Sequence, residues 1–186
     1  VNTLAVIDHL RSPRLASLTV VGLAGGTRCE QLAAQAHLTS AIAAASVAPP
    51  PSDTGGVGQW FSGEHAAVEL IDAVAQEGDL VVAAIVGAAG MAPVLAAIER
   101  GCDIALANKE SLVMAGDLVV SAAARRGVKI IPIDSEHSGI FQCLGGSTTT
   151  TGVAKVTLTC SGGSLRDLDI SAMHAATVEM ALAHPT

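Results

Sequence analysis

A chain of 186 residues that is half apolar and only 15% charged has material for one ordinary globular domain, or for one domain and part of a second. A formal net charge of −7, with ten Lys and Arg and three aromatic residues, leaves no basic surface to track a phosphate backbone and no platform to stack bases, so nucleic acid is excluded as an expected partner. The apolar runs near 80–98 and 104–124 are broken by Gly, Pro, Asn or charged residues, so no membrane span is expected.

The start of the chain has no basic segment leading into an apolar core, so a signal peptide is not expected either. Cys29, Cys102, Cys143 and Cys160 form no Cys-x-x-Cys pair, which predicts buried thiols in a reducing cytoplasm. Residues 2–10 have helical spacing, as though a strand and turn preceded them, and His184-Pro185-Thr186 reads as a loop after a helix. Both ends lead us to expect a piece of a longer protein.

Between them the pattern alternates. Residues 18–23 read as a buried strand, followed by the turn Gly25-Gly26 and a helix over 30–36. The stretch 39–63 is rich in Ala, Pro, Gly and Ser and predicts no element. A helix is predicted over 64–75, a strand over 80–86, and a turn at Gly87-Ala88-Ala89-Gly90 into a helix over 92–100. The strand 103–107 feeds Asn108-Lys109-Glu110-Ser111 and a helix to Arg126, and 128–133 is the next strand. Strand and helix units at this interval imply an α/β fold with a doubly wound parallel sheet. The last third reads differently, with a Thr-rich loop at 147–151, a strand over 153–159, the turn Ser161-Gly162-Gly163 and a helix over 171–182. A boundary at 133/134 is expected, with 1–133 as the sheet domain and 134–186 as the start of a second, α+β domain.

Asp134-Ser135-Glu136-His137 stands out because alternation along a strand would project Asp134 and Glu136 side by side from its C-terminal end. Two hard oxygen ligands there would seat Mg²⁺ or Mn²⁺; the competing reading is a solvated strand end or a helix cap. Lys109 and Glu110 lie in a strand-to-helix turn, where Asn108 could cap the helix and Glu110 favour its positive end. Both clusters end neighbouring strands of the predicted sheet, which would bring a cation and carboxylates into one crevice. Ser161-Gly162-Gly163 fits either an anion-binding nest or a plain turn. His184 alone reads as a surface histidine, and His9, His37, His65 and His174 have no convergent partners.

Residues 84–91 (Ala-Ile-Val-Gly-Ala-Ala-Gly-Met), 106–113 (Leu-Ala-Asn-Lys-Glu-Ser-Leu-Val), 132–138 (Pro-Ile-Asp-Ser-Glu-His-Ser) and 161–163 (Ser-Gly-Gly) resemble, in the same order, the 1-deoxy-D-xylulose-5-phosphate reductoisomerase family. The resemblance extends over nearly the whole chain and is weakest in 39–63. It implies a Rossmann-type NADPH-binding domain followed by the start of the catalytic domain. It implies that Asp134 and Glu136 are two of three carboxylate ligands to a divalent metal (Mg²⁺ or Mn²⁺, with Co²⁺ a further candidate) and that Ser135 binds substrate beside them. Lys109 would contact substrate, as would Glu136, while Asn108 and Glu110 would line the nicotinamide cofactor. Gly25, Gly26 and Thr27 match the turn that meets the adenosine side. Gly26 and Thr27 depart from the commoner residues there, and Arg28 is the candidate to compensate at the 2′-phosphate. Ser161 resembles a contact to the substrate phosphate, and His184 a residue of the loop that closes over substrate.

The implied reaction converts 1-deoxy-D-xylulose 5-phosphate, a small phosphorylated ketose, to 2-C-methyl-D-erythritol 4-phosphate in the non-mevalonate isoprenoid route, in a full-length homodimer. The family's Gly-rich pyrophosphate turn would precede Val1 and its third metal ligand would follow Thr186, so the 186 residues alone are expected to be inactive. Two other classes compete: another Rossmann-type NAD(P)-dependent oxidoreductase, and a non-catalytic binding module. The second has little need for Lys109, Asp134 and Glu136 together.

Overall fold

The computed structural model describes residues 2–10, 18–146, 149, 151–158 and 163–183. They form two compact units, residues 1–134 and 135–186. Among the described residues no helix is long and apolar enough to cross a membrane.

The first unit is α/β. It runs α1 (Asn2–Leu10), β1 (Gly22–Gly25), α2 (Cys29–Thr39), β2 (Ala43–Ser46), β3 (Gln59–Ser62), α3 (Ala66–Val74), β4 (Leu80–Ala83), α4 (Met91–Glu99), β5 (Asp103–Leu106), α5 (Glu110–Arg126) and β6 (Ile130–Pro132). All strand pairs are parallel. They form two three-stranded sheets, β1-β2-β3 and β4-β5-β6, where a single doubly wound sheet was expected.

Small residues let α3 come close to the first sheet. A Cβ built at Gly22 would stand 3.1 Å from Leu70 Cδ1 and 3.3 Å from Val74 Cγ2, so the β1 backbone lies almost against the helix. The four residues of β2, Ala-Ala-Ala-Ser, are all buried. Strands β2 and β3 fall inside 39–63, where no element was expected. Alanine is a poor strand former, and here packing under Leu70 and Ala66 of α3 decides in favour of the strand. Ile71 of the same helix and Ala75 just after it join the larger core, which contains Val94, Ala97 and Ile98 of α4, Ile104 and Leu106 of β5, and Val119, Ala122 and Ala123 of α5. Helix α3 therefore contributes to the packing of both sheets. Helix α5 stops where Gly127 takes φ 68°, a left-handed C-cap that leaves Arg125 and Arg126 near the negative end of the helix.

The second unit begins with α6 (Ser135–Cys143), continues through a 3-10 turn at Ile170–Ala175, and ends in α7 (Val178–Leu182). Three expectations fail here. Strand β6 stops at Pro132 and Ser135 is already helical, so Asp134 and Glu136 do not share the face of a strand. Residues 153–158 carry no strand ladder. The helix expected over 171–182 is two pieces, because Thr177 is extended (φ −94°, ψ 165°) and caps α7 by accepting from Met180 N at 3.3 Å. Among the described cysteines Cys29 and Cys102 are buried but Cys143 is exposed, so buried thiols hold for two of three; all three are free, and Cys160 lies outside the described residues.

Candidate functional site

The C-terminal ends of β4, β5 and β6 lie side by side, because β5 pairs with both neighbours. In parallel sheets that edge is where chemistry is placed. Three segments leave it: the turn Gly87–Gly90 after β4, Asn108-Lys109-Glu110-Ser111 after β5, and Asp134 after β6.

Asn108 holds the first two together. It is 2% exposed, and its amide nitrogen donates to Ile85 O at 2.6 Å, Gly87 O at 3.0 Å and Glu110 Oε2 at 3.1 Å. Its Oδ1 accepts from Ser111 N at 3.2 Å and from the Ser111 hydroxyl, so it does cap α5 as its position suggested. Carbonyl acceptors on one side and N–H and O–H donors on the other fix the orientation of the amide. Gly90 makes room for it: a Cβ at residue 90 would stand 2.5 Å from Ile85 O and 2.8 Å from Asn108 Cγ. Gly87, at φ 71° and ψ −162°, holds a conformation glycine favours.

Lys109 sits between two anchored neighbours. With Asn108 buried and Glu110 tied to the Asn108 amide, the Lys109 side chain faces outward, about half exposed, and its ammonium lies 2.7 Å from Asp134 Oδ2. The Asp134 side chain is only 14% exposed. With its ammonium end in contact with solvent, this pair adds at most ~1 kcal/mol to stability, so its interest is chemical. It places a positive charge and a carboxylate at the ends of adjacent strands, as the sequence suggested.

In the second unit, Ser135 Oγ donates to Glu136 Oε2 at 2.8 Å in the first turn of α6. A groove of about 520 Å³ lies beside them, lined by Ile140 and Cys143 of α6, by Leu144 just after it, and by residues of 153–158. The donor chemistry fits a hard divalent cation, since Asp134 and Glu136 offer carboxylate oxygens and neither offers soft sulfur. Among the described residues no three His, Cys, Asp or Glu side chains are grouped to hold a metal.

At the end of the first sheet, Gly25 closes β1 and Gly26, Thr27 and Arg28 form the turn into α2, all four exposed. Gly26 O accepts from Val47 N at 3.0 Å, which ties this turn to the end of β2. Ser161 and His184 lie outside the described residues. The sequence marks Ser111 and Gly90 as members of these two turns without giving either a role of its own, although Asn-x-x-Ser has the spacing at which a side chain accepts from a backbone N–H in the first turn of a helix.

A family model described as 1-deoxy-D-xylulose 5-phosphate reductoisomerase matches residues 1–116, and one for the C-terminal domain of that reductoisomerase matches residues 130–186. The chain is similar to the 1-deoxy-D-xylulose 5-phosphate reductoisomerase of Heliobacterium modesticaldum, 42% identical over 98% of this chain and 47% of the relative. It is also similar to that of Xanthomonas axonopodis pv. citri, 54% identical over 65% of this chain and 31% of the relative. A crystal structure of DOX-P reductoisomerase in complex with NADPH, fosmidomycin and magnesium superposes with a TM-score of 0.73 at 36% identity, covering 99% of this chain and 48% of that one. The chain thus spans about half the length of the curated Heliobacterium relative.

Proposed function

This chain belongs to the 1-deoxy-D-xylulose 5-phosphate reductoisomerase family, and on that premise we propose that its protein rearranges and reduces 1-deoxy-D-xylulose 5-phosphate to 2-C-methyl-D-erythritol 4-phosphate with NADPH and a divalent metal. The observation that carries the reading is the Lys109–Asp134 pair at the ends of β5 and β6, set beside the buried Asn108. A related structure that holds NADPH, fosmidomycin and magnesium supports the choice of cofactors.

In this reading Asp134 and Glu136 each give a carboxylate to the metal, which supplies Lewis-acid polarisation of the ketose carbonyl. NADPH supplies the hydride. Lys109 brings a positive charge to oxygen atoms that gain negative charge as the carbon skeleton rearranges, and Asp134 holds its ammonium in place until substrate arrives. Ser135 binds substrate beside Glu136. Asn108 and Glu110 shape the wall on the nicotinamide side, and Gly25, Gly26 and Thr27 offer a low surface to the adenosine end. Ser161 takes the substrate phosphate, and His184 closes over it to exclude water. The working protein is a cytoplasmic homodimer.

The test is NADPH oxidation by the intact protein with the ketose phosphate and Mn²⁺. Lys109→Ala and Asp134→Asn should each lower kcat/KM by roughly 100-fold or more, as losing one preorganised charge does. Full activity in Asp134→Asn, or a wild-type protein that binds NADPH yet leaves this ketose phosphate untouched, would overturn the proposal.

A further inference from the structure

The buried polar group next to Lys109 is saturated from within. Asn108 has two amide hydrogens, and three protein acceptors (Ile85 O, Gly87 O and Glu110 Oε2) share them. Its Oδ1 receives both the backbone N–H and the hydroxyl of Ser111, a residue with no exposed surface. To reach a ligand, the Asn108 side chain would have to break a buried hydrogen bond and leave a carbonyl unsatisfied. Its remaining role is to hold backbone. One hand of the amide fixes the carbonyls of residues 85 and 87 after β4, and the other fixes the head of α5, from which Lys109 projects.

We infer that Ser111 is a positioning residue for the dinucleotide site, acting through Asn108 to lock the Gly87 turn against the α5 N-terminus. This rests on the NADPH-dependent reading above. The Ser111 hydroxyl supplies one of the two hydrogen bonds that hold Asn108 Oδ1 in place, and the Ser111 backbone N–H supplies the other. Without its hydroxyl the amide oxygen is held by the Ser111 N–H alone, the donor to the Gly87 carbonyl is less firmly fixed, and the turn samples conformations that a bound dinucleotide must select against. The penalty falls on cofactor affinity, because the turn shares the Asn108 amide with Glu110, and Asn108 and Glu110 are the residues read as forming the nicotinamide side. Gly90 serves the same lock from the other side, since any Cβ there would displace Asn108.

The experiment measures the NADPH dissociation constant of the intact protein by calorimetric titration, for wild type, Ser111→Cys and Ser111→Ala, each first shown to melt cooperatively. Losing one buried hydrogen bond at an amide should weaken NADPH binding about tenfold in Ser111→Ala, with Ser111→Cys, a weaker donor of similar size, in between. At saturating NADPH, kcat should stay within about threefold of wild type while KM for NADPH rises, a split that mere loss of folded protein does not produce. A folded Ser111→Ala protein that binds NADPH within about twofold of wild type would overturn the inference. If Ser111→Ala does not fold, equal affinity in wild type and Ser111→Cys overturns it in the same way. Failure of wild type itself to bind NADPH would instead defeat the functional reading on which the inference stands.

Discussion

In the first unit Ile98, Ile104, Val94 and Val119 are fully buried in one continuous core, whereas no described residue of the second unit is buried and Ile170, Val178 and Leu182 are each at least 70% exposed. Among its described residues, polar side chains mark the ends of the second unit's elements. Asp169 caps the 3-10 turn, Thr177 caps α7, and Ser164 Oγ donates to Ala181 O at 2.7 Å. The contrast bears on the site. Asn108, Lys109 and Asp134 sit in short connections directly after β5 and β6, strands whose positions the core determines, so their geometry is built in. Ser135 and Glu136 belong to the unit whose described elements have no such support.

The largest effect should come from cutting that core. Ile98→Ala removes three carbons from a fully enclosed site and should cost about 2–5 kcal/mol, through lost transfer energy and the cavity left behind. Leu182→Ala, at a side chain already 78% exposed, should change stability by less than about 0.5 kcal/mol. Denaturant titration of both variants checks this, and similar losses at the two positions would erase the contrast.

A second pair should differ in sign. Gly55 has φ 67°, and a Cβ there would stand 2.5 Å from Ala33 O, so Gly55→Ala should destabilise the first unit by about 1–3 kcal/mol. Gly139 lies inside α6 with nothing within 4 Å of a built Cβ. There Ala should strengthen the helix by up to about 1 kcal/mol. Thermal melts that move in the same direction for both would show that the two units are not held as differently as their burial suggests.

The repeating strand and helix periods made the parallel sheets readable, together with the placement of Lys109 and Asp134 on neighbouring strands. Local pattern suffices where apolar residues are large, as in Leu80-Val81-Val82 and Asp103-Ile104-Ala105-Leu106. It fails at Ala43-Ala44-Ala45-Ser46, a strand that depends on tertiary partners: β1 and β3 pair with it on both sides and α3 packs on Ala43 and Ala45. It also fails at Asp134-Ser135-Glu136, where two signals compete: alternation after 128–133 argues for more strand, while Asp, Ser and Glu in succession mark a helix start. The helix signal prevails, because Ser135 and Glu136 occupy the first turn of α6. Ser111 has no role of its own in the sequence because a serine five residues past β5 carries no distinctive pattern until the Asn108 amide it bonds is seen to be buried.

The smallest predicted effect sharpens the polar side of the contrast. The Asp169 carboxyl is held below the ordinary carboxylate range, first by the backbone N–H of Ser171 at 3.1 Å and then by its hydroxyl at 3.0 Å. Both bonds favour the charged form, so the folded state binds the proton less readily than the unfolded chain. The stability this cap contributes is therefore present above the unfolded carboxyl pKa and is lost as pH falls through the lower, folded value. Acidification should loosen the 3-10 turn at Ile170–Ala175, and hydrogen exchange at Ser171 and Ala172 should accelerate at the acid end while amides of β5 stay protected by the core. In Asp169→Asn the side chain can still accept from Ser171 but no longer titrates, so the local acid dependence should disappear. If exchange at Ser171 in that variant still accelerated with acid as in wild type, Asp169 would not be the group that makes this part of the second unit sensitive to pH.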